Sequence, residues 1–309
     1  MKNQKVAIII TTYNQDILLE KCLNSIKKKT DYSSYRVFLV DDASKIKIGE
    51  KIKKKFPWIN VIVNKDNLGF SKSNNIGIKA SLKDYNPNYI LLLNDDTEIV
   101  QRNWLKKMIE IGESDSKIGI LGCRIIYPDG SLQNIGGYVK GYEIVKLLKA
   151  KDNVIDVDHV MGSCMLIKRK VIKKIGLLDE IYSPYLLEDT DYCLRAKKQG
   201  FSIKSINSVN IVHKKGKTID SLKDKKSLFI RFKNDMIFSS RHLKLKYILF
   251  RIFIYLPLVA LFKKKRDEDE LRFKNFKIRD DFLINIFFLL LAYALSLSNI
   301  KRIINSKSN

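Results

Sequence analysis

Short unbroken apolar runs alternate, along the first hundred residues, with stretches whose apolar positions recur every three or four residues. Val6-Ala7-Ile8-Ile9-Ile10, Arg36-Val37-Phe38-Leu39-Val40, Val61-Ile62-Val63 and Tyr89-Ile90-Leu91-Leu92-Leu93 are rich in bulky aliphatic residues with hardly a polar break. Such runs predict strands covered on both faces, as in parallel sheets. Between the first two, the stretch 17–28 has apolar residues at 18, 19, 22, 23 and 26, the spacing of an amphipathic helix. Helices are likewise predicted at about 46–55, 72–82 and 104–111. Strand and helix in turn imply βαβ units on a parallel sheet. After about residue 115 the rhythm changes. Segments 118–126, 153–160, 164–167, 202–205 and 210–212 read as strands, and 171–175 and 189–199 as helices stopped by Gly176 and Gly200.

From about Ser221 the character shifts again. A basic, apolar helix is predicted over 222–243, followed by apolar stretches at 247–262 and 282–298 with charged residues between them. A spanning helix needs ~20 apolar residues. The first stretch is interrupted by Arg251 and Pro257, the second by Asn285, and basic residues flank both. The expectation is helices lying in a membrane interface, or a shallow re-entrant hairpin, rather than two spans. The chain thus divides into an α/β domain over 1–220 and a basic, apolar helical tail over 221–309.

Composition adds a direction. Among 309 residues, 58 Lys and Arg face 33 Asp and Glu, a formal net charge of +25. That excess calls for a polyanionic partner. From Lys214 onward, basic residues outnumber acidic ones 23 to 9, which favours an anionic membrane surface. No aromatic RNA-binding signature accompanies the charge, so nucleic acid is not the expected partner. The four cysteines, Cys22, Cys123, Cys164 and Cys193, are widely spaced and form no CxxC pair. They read as small reduced core residues. The apolar run 6–10 is too short for a signal h-region, so the amino-terminal part is expected to stay in the cytoplasm. Neither GxGxxG nor GxxxxGK[ST] is present, so dinucleotide-binding and P-loop readings lack their phosphate cradle.

Against that basic background two acidic clusters stand out, Asn94-Asp95-Asp96 after the fourth strand and Glu188-Asp189-Thr190-Asp191 after an aromatic loop. Bunched carboxylates repel unless a cation or proton offsets them. Ligands of open α/β sheets gather beyond the carboxyl ends of strands, where Asn14, Asp41, Asp42 and the first cluster fall. Each feature has a plainer reading too. Asp41-Asp42 and Asp95-Asp96 can cap helices or turns, and acids at 188–191 suit a helix start. Tyr182, Tyr185 and Tyr192 around the second cluster suggest a sugar-binding wall. His213 ends a strand before Lys214-Lys215-Gly216-Lys217, a stretch suited to a diphosphate, and Gly162-Ser163-Cys164 permits close approach of a ligand.

Taken in order, Ile9-Ile10-Thr11-Thr12-Tyr13-Asn14, Val40-Asp41-Asp42-Ala43-Ser44, Asn67-Leu68-Gly69-Phe70, Leu92-Leu93-Asn94-Asp95-Asp96-Thr97, Gly162-Ser163-Cys164-Met165, Gly176-Leu177-Leu178-Asp179-Glu180, Glu188-Asp189-Thr190-Asp191 and Val212-His213 resemble family 2 glycosyltransferases with the GT-A fold. The resemblance is closest to the rhamnosyltransferase-like branch that builds surface polysaccharides, and it covers about residues 5–215. It implies a mixed, mainly parallel Rossmann-like sheet flanked by helices. It also implies an inverting, metal-dependent hexosyltransferase that moves a sugar from a nucleotide-sugar donor to a lipid-linked or oligosaccharide acceptor at the cytoplasmic face of the membrane. Thr12, Asn14, Asp41, Asn67, Asn94 and Asp95 are implied to contact the nucleotide sugar. Gly162, Tyr185 and Glu188 are implied to contact the acceptor. Asp96 and His213 are implied to ligate Mg2+ or Mn2+, and Asp189 to be the catalytic base. Asn94 departs from the family's D-x-D motif and leaves one neutral ligand. The alternatives are a sugar-phosphate nucleotidyltransferase, which would show a glycine-rich amino-terminal loop, and a non-catalytic basic membrane- or nucleic-acid-binding protein.

Overall fold

A computed structural model describes residues 4–214, 225–261 and 282–298. The chain divides into two compact units, one of Met1–Tyr138 with Ile144–Lys215, the other of Val139–Glu143 with Gly216–Asn309.

The first unit is built on a mixed sheet. Its strands are β1 (Val6–Thr12), β2 (Tyr35–Asp41), β3 (Asn60–Val63), β4 (Tyr89–Leu93), β5 (Thr97–Ile99), β6 (Ile118–Ile126) and β7 (Leu132–Asn134). Two short strands outside that sheet, β8 (Gly137–Lys140) and β9 (Glu143–Lys146), are followed by β10 (Val154–Val157), β11 (Cys164–Lys168) and β12 (Ser202–His213). The strand order is β10-β12-β6-β11-β4-β1-β2-β3, with β5 paired to β12 and β7 to β6. β1, β2, β3 and β4 run parallel, as do β6 and β12, while β11 runs antiparallel between β4 and β6. The two faces of the sheet follow from strand alternation. Val6, Ile8 and Ile10 of β1 pack with Leu19, Leu23 and Ile26 of α1 (Asp16–Lys29). Ala7 and Ile9 join Ile78 of α3 (Phe70–Asp84) on the other face. With helices on both sides, a fully apolar β1 carries no exposed residue, which is why its pattern is a run and not an alternation. α2 (Ile48–Lys55), α4 (Trp104–Ser114), α5 (Arg169–Ile175) and α6 (Glu188–Lys198) complete the layers. All four cysteines are buried and free.

One expectation changes. The pattern suggests two strands at 202–205 and 210–212, but β12 runs through as one, with a register shift between Ile206 and Asn210. Asn153 makes the irregularity possible: its carbonyl accepts from the Asn207 amide at 2.7 Å and its side chain from the Ser208 amide at 3.0 Å. The backbone donors that leave the ladder are therefore satisfied.

The second unit is helical: α7 (Lys225–His242), α8 (Leu245–Phe250), a π-turn over Arg251–Tyr255, α9 (Leu256–Leu261) and α10 (Phe282–Ser298). The π-turn directly precedes Pro257, whose ring lacks an amide donor and crowds the carbonyl four residues back, so the ladder widens there. Phe232 and Met236 of α7 pack with Leu256, Leu289 and Ala292. Arg251 is buried, and its guanidinium meets Asp235 and the Tyr142 carbonyl. Leu245, Leu249, Phe253, Ile254, Leu283, Phe287, Leu290 and Leu291 stay exposed. Among the described residues no helix is long and apolar enough to cross a membrane. The charged linker at 263–270 lies outside the described residues.

Candidate active site

Five segments bring the sequence-predicted residues to one edge of the sheet. They are the carboxyl ends of β1, β2, β4 and β12, and the turn that enters β11. Thr12 closes β1, and its hydroxyl donates to Asp95 Oδ2 at 2.7 Å. Asn14 adopts a left-handed conformation, with φ 55°. Its amide donates to Ser44 Oγ, and its side-chain oxygen accepts from the Lys45 amide, both at 2.9 Å. The ends of β1 and β2 are thus laced together.

Asp41 and Asp42 are both buried. Asp41 Oδ1 accepts from the Ser44 amide at 3.0 Å, and Oδ2 from the Gly49 amide at the start of α2 at 2.7 Å. Asp42 Oδ1 accepts from Asn64, the Leu68 amide and the Ser73 hydroxyl, and Oδ2 accepts from the Gly69 amide. Asp42 therefore holds the 67–70 turn in place, while Asn67 itself lies exposed on that turn. Beside Asp41 an open groove of about 240 Å3 is lined by Ala43, Ser44, Lys47, Glu50, Val63, Asn64 and Lys65. Of its lining, the sequence reading singled out Asp41 alone as a binding residue.

β4 ends at Leu93, and Asn94-Asp95-Asp96 turns the chain into β5. β5 pairs with β12 so that Thr97 lies opposite His213. That register sets the imidazole over the acidic turn: His213 Nε2 is 3.1 Å from Asp96 Oδ1 and 3.5 Å from Asn94 Nδ2. The other ring nitrogen, Nδ1, faces Gln133 Oε1 of β7 at 2.6 Å. Asp95, its carboxyl enclosed and next to Asp96, is pushed up to about 7, burial being the larger cause and Thr12 opposing it. Lys214 pairs through Nζ with Glu98 at 2.7 Å, and Lys215 to Lys217 lie outside the described residues.

Asp189 reaches this turn through β11. Cys164 is registered against Leu93, and the Asn94 amide donates to the Ser163 carbonyl at 3.2 Å. The next residue, Gly162, donates its amide to Asp189 Oδ2 at 2.8 Å. A Cβ at Gly162 would stand 3.1 Å from Phe70 Cζ and 3.5 Å from Asp189 Cβ, so a larger residue would crowd this approach. Asp189 Oδ1 accepts from the Thr190 amide at 2.6 Å and its hydroxyl at 3.2 Å. Its position in the first turn of α6 adds the favourable helix field.

The loop before α6 is held on both sides. Leu186 and Leu187 have φ of 81° and 72°, unfavourable for branched side chains, directly before Glu188. Pro184 accepts from the Phe70 amide at 2.7 Å, and a Cβ on Gly69, whose φ is 79°, would lie 2.6 Å from Pro184. Only glycine suits that position. Glu188 is buried, its Oε2 has no hydrogen-bond partner, and burial followed by Asp189 and Asp191 raises its pKa well above the usual carboxylate range.

The three-tyrosine wall does not form. Tyr182 and Tyr192 are 0% and 1% exposed, and their hydroxyls donate to Asp191 Oδ1 and the Gly176 carbonyl. Both are core residues; Tyr182 braces Asp191, itself paired with Arg195 at 2.8 Å. Tyr185 stays partly exposed.

The profile of glycosyl transferase family 2 matches residues 7–176, more than half of the chain. The chain belongs to that family. The matched span holds Thr12, Asp41, Asp96 and Gly162 and stops before Asp189 and His213. The low-salt glycan biosynthesis hexosyltransferase Agl10 of Haloferax volcanii is 29% identical over 220 residues, which is 67% of this chain and 71% of that protein. The dTDP-rhamnosyl transferase RfbF of Shigella flexneri is 24% identical over 219 residues, 68% and 69% of the two chains. The mannosyltransferase PcManGT from Pyrobaculum calidifontis, solved with GDP-Man and Mn2+, superposes with a TM-score of 0.56 at 14% identity. It covers 97% of this chain and 76% of its own, and at that identity the likeness shows the GT-A fold alone. Family membership makes the protein a nucleotide-sugar glycosyltransferase and removes the nucleotidyltransferase alternative.

Among the described residues no group of three or more His, Cys, Asp or Glu side chains forms a ready-made metal cage. The Asp96–His213 pair nevertheless suits a divalent cation. Neighbouring ligands of an octahedral ion with ~2.1 Å bonds stand ~3 Å apart, and such ions are commonly held by one or two protein groups plus substrate phosphates. The 3.1 Å between Oδ1 and Nε2 meets that requirement.

Proposed function

We propose that this protein is an inverting, cation-assisted hexosyltransferase of cell-surface glycan synthesis, acting on a lipid-linked saccharide at the cytoplasmic face of a membrane. The observation that carries the reading is the short relay Asn94–Ser163–Gly162–Asp189, which joins a candidate base by two hydrogen bonds and one peptide link to Asn94, at the head of the turn that holds the Asp96–His213 pair.

In this reading the diphosphate of the donor lies at Asp96 and His213, and its nucleoside lies toward the groove beside Asp41. Asp41 shapes that groove by holding the 44–49 loop, Asn14 fixes its rim through Ser44, and Thr12 holds Asp95 of the neighbouring turn. A divalent cation held by Asp96 and His213 would offset the charge that grows on the departing diphosphate. Asp189 takes the proton of the acceptor hydroxyl as that oxygen bonds to the anomeric carbon. The bond from that carbon to the diphosphate oxygen breaks on the opposite face, and the configuration inverts. A positioned base is worth ~10²–10⁴-fold. Gly162 leaves room beside Asp189 for the acceptor, with Tyr185 and Glu188 next to it. PcManGT with GDP-Man and Mn2+ supports the donor class and the cation, and Agl10 and RfbF support a role in glycan assembly.

Membrane attachment is supported by the second unit. Leu245, Leu249, Phe253 and Ile254 follow helical spacing, as do Leu283, Phe287, Leu290 and Leu291, and all are exposed. Lys244 and Lys246 flank the first stripe. Apolar stripes with basic flanks suit an anionic lipid surface.

The decisive experiment incubates the full chain with a panel of nucleotide sugars and a lipid-pyrophosphate saccharide acceptor. Transfer with inverted configuration, lost in Asp189→Asn, supports the reading. Retained configuration or unimpaired turnover in that variant overturns it. Co-sedimentation with anionic vesicles, weakened by Phe253→Asp with Phe287→Asp, checks the attachment; recovery of the wild type in the supernatant removes it.

A further inference from the structure

Gln133 sits in a three-residue strand, 80 positions from His213 in sequence, yet its Oε1 lies 2.6 Å from His213 Nδ1. Both side chains are buried, Gln133 at 6% and His213 at 5% exposure. The sheet explains the meeting. β7 is laid antiparallel on the end of β6, and the same end of β6 pairs with β12 at Val212. An amide oxygen can only accept, so the proton in this contact belongs to His213 Nδ1. A neutral imidazole protonated there has its lone pair on Nε2. The groups around Nε2 agree: Asn94 presents the donor Nδ2 at 3.5 Å, and Asp96 presents Oδ1 at 3.1 Å. With the ring neutral, the Nε2 lone pair and a carboxylate oxygen converge at contact distance, an arrangement that repels unless a cation or a proton lies between them. Gln133 Nε2 is buried with no partner of its own.

We propose that Gln133 is a positioning residue of the cation site. It accepts a hydrogen bond from the His213 Nδ1–H, fixes the ring plane and turns the Nε2 lone pair toward Asp96. This rests on the assignment of Asp96 and His213 as cation ligands. An outer partner on the remote nitrogen of a ligating histidine sets its tautomer, and its loss typically costs ~10–100-fold in metal affinity. The role also accounts for a buried glutamine in a strand as short as β7.

Two measurements on the full chain test it, neither using activity. Long-range 1H–15N correlation spectra report the tautomer of each of the three histidines, with His213→Asn identifying the relevant signal. The wild type without metal is expected to show the Nδ1–H form, and the Nε2–H form there overturns the proposal without any variant. Mn2+ affinity is then read from the free-ion paramagnetic resonance signal. Gln133→Leu should weaken Mn2+ binding roughly 10–100-fold. Gln133→Glu, which keeps the acceptor, should retain or tighten it. Equal affinity in wild type and Gln133→Leu, with the tautomer unchanged, overturns the role of Gln133 while the cation site stands. A wild type that binds no Mn2+, with or without a nucleoside diphosphate, overturns the cation assignment and this inference with it.

Discussion

The carboxylates at the end of β2 and those at the end of β4 occupy equivalent places on one sheet edge, yet the protein treats them in opposite ways. Every oxygen of Asp41 and Asp42 accepts at least one hydrogen bond, and those of Asp42 draw in donors from Asn64 to Ser73. Asp96, in contrast, meets the His213 ring nitrogen Nε2 at 3.1 Å, and Asp95 is pushed up to about 7 by burial and by Asp96. The first pair is architecture: its charge is spent on backbone amides. The second is left with electrostatic need, which a cation and a diphosphate can meet. Position at a strand end therefore marks a candidate, and the local donor inventory decides its role.

Four substitutions can break or sharpen this contrast. The largest effect is expected at Asp189. Asn keeps one acceptor oxygen, enough for either the Gly162 or the Thr190 amide, and cannot take a proton, so turnover should fall ~10²–10⁴-fold with only a small loss of melting temperature. A fall in melting temperature of equal severity would move Asp189 to the architectural class. Next, Asp96→Asn should lower turnover by ~10²-fold or more, since charge stabilisation by a bound cation is worth several kcal/mol. Excess chelator on the wild type should match it, and full activity in chelator would contradict the contrast at its root. Third, Asp42→Ala should act through the fold. It strips four groups of their acceptor and should cost about 3 kcal/mol in urea unfolding. A stable but inactive variant would show that Asp42 belongs with the chemistry.

The smallest effect concerns Glu188. Its folded pKa lies well above the ordinary 4.5, burial being the first cause. The folded state then holds its proton where the unfolded chain has lost it, so stability declines as pH rises from about the unfolded value toward the folded one. Glu188→Gln removes that decline. Its melting temperature relative to wild type should climb between acidic and neutral pH, and a constant difference across that range would refute the buried, proton-holding carboxyl.

Much of the fold was legible because its causes are local. Continuous apolar runs at 6–10, 36–40 and 89–93 became β1, β2 and β4, and the stretch 282–298 became α10 with those bounds. The positions of Asp41, Asp96 and His213 at strand ends followed from the same runs. Burial was harder to read. Tyr182 and Tyr192 flank an acidic cluster like a sugar platform, yet both are core residues: α6 turns Tyr192 into the sheet's core cluster, and the short turn at Glu180–Tyr182 buries Tyr182 against Asp191. The groove residues Lys47, Val63, Asn64 and Lys65 carry no local mark of their shared lining. Gln133 gave no signal at all. Three strand residues after an Asp129-Gly130 turn look like any loop until β7 is registered on β6.

By itself the sequence determined the alternation of strands and helices, the family, and the set of acids from which a site could be drawn. These depend on periodicity and short motifs, which a side chain expresses through its near neighbours. Only the tertiary structure decided which partners each acid meets. Hydrogen-bond acceptance in a buried setting depends on donors 20 to 100 residues away, brought within 3 Å by sheet register. Asp42 and Asp96 are the same residue type in similar local settings, yet the folded sheet delivers four hydrogen-bond donors to one and a histidine ring to the other.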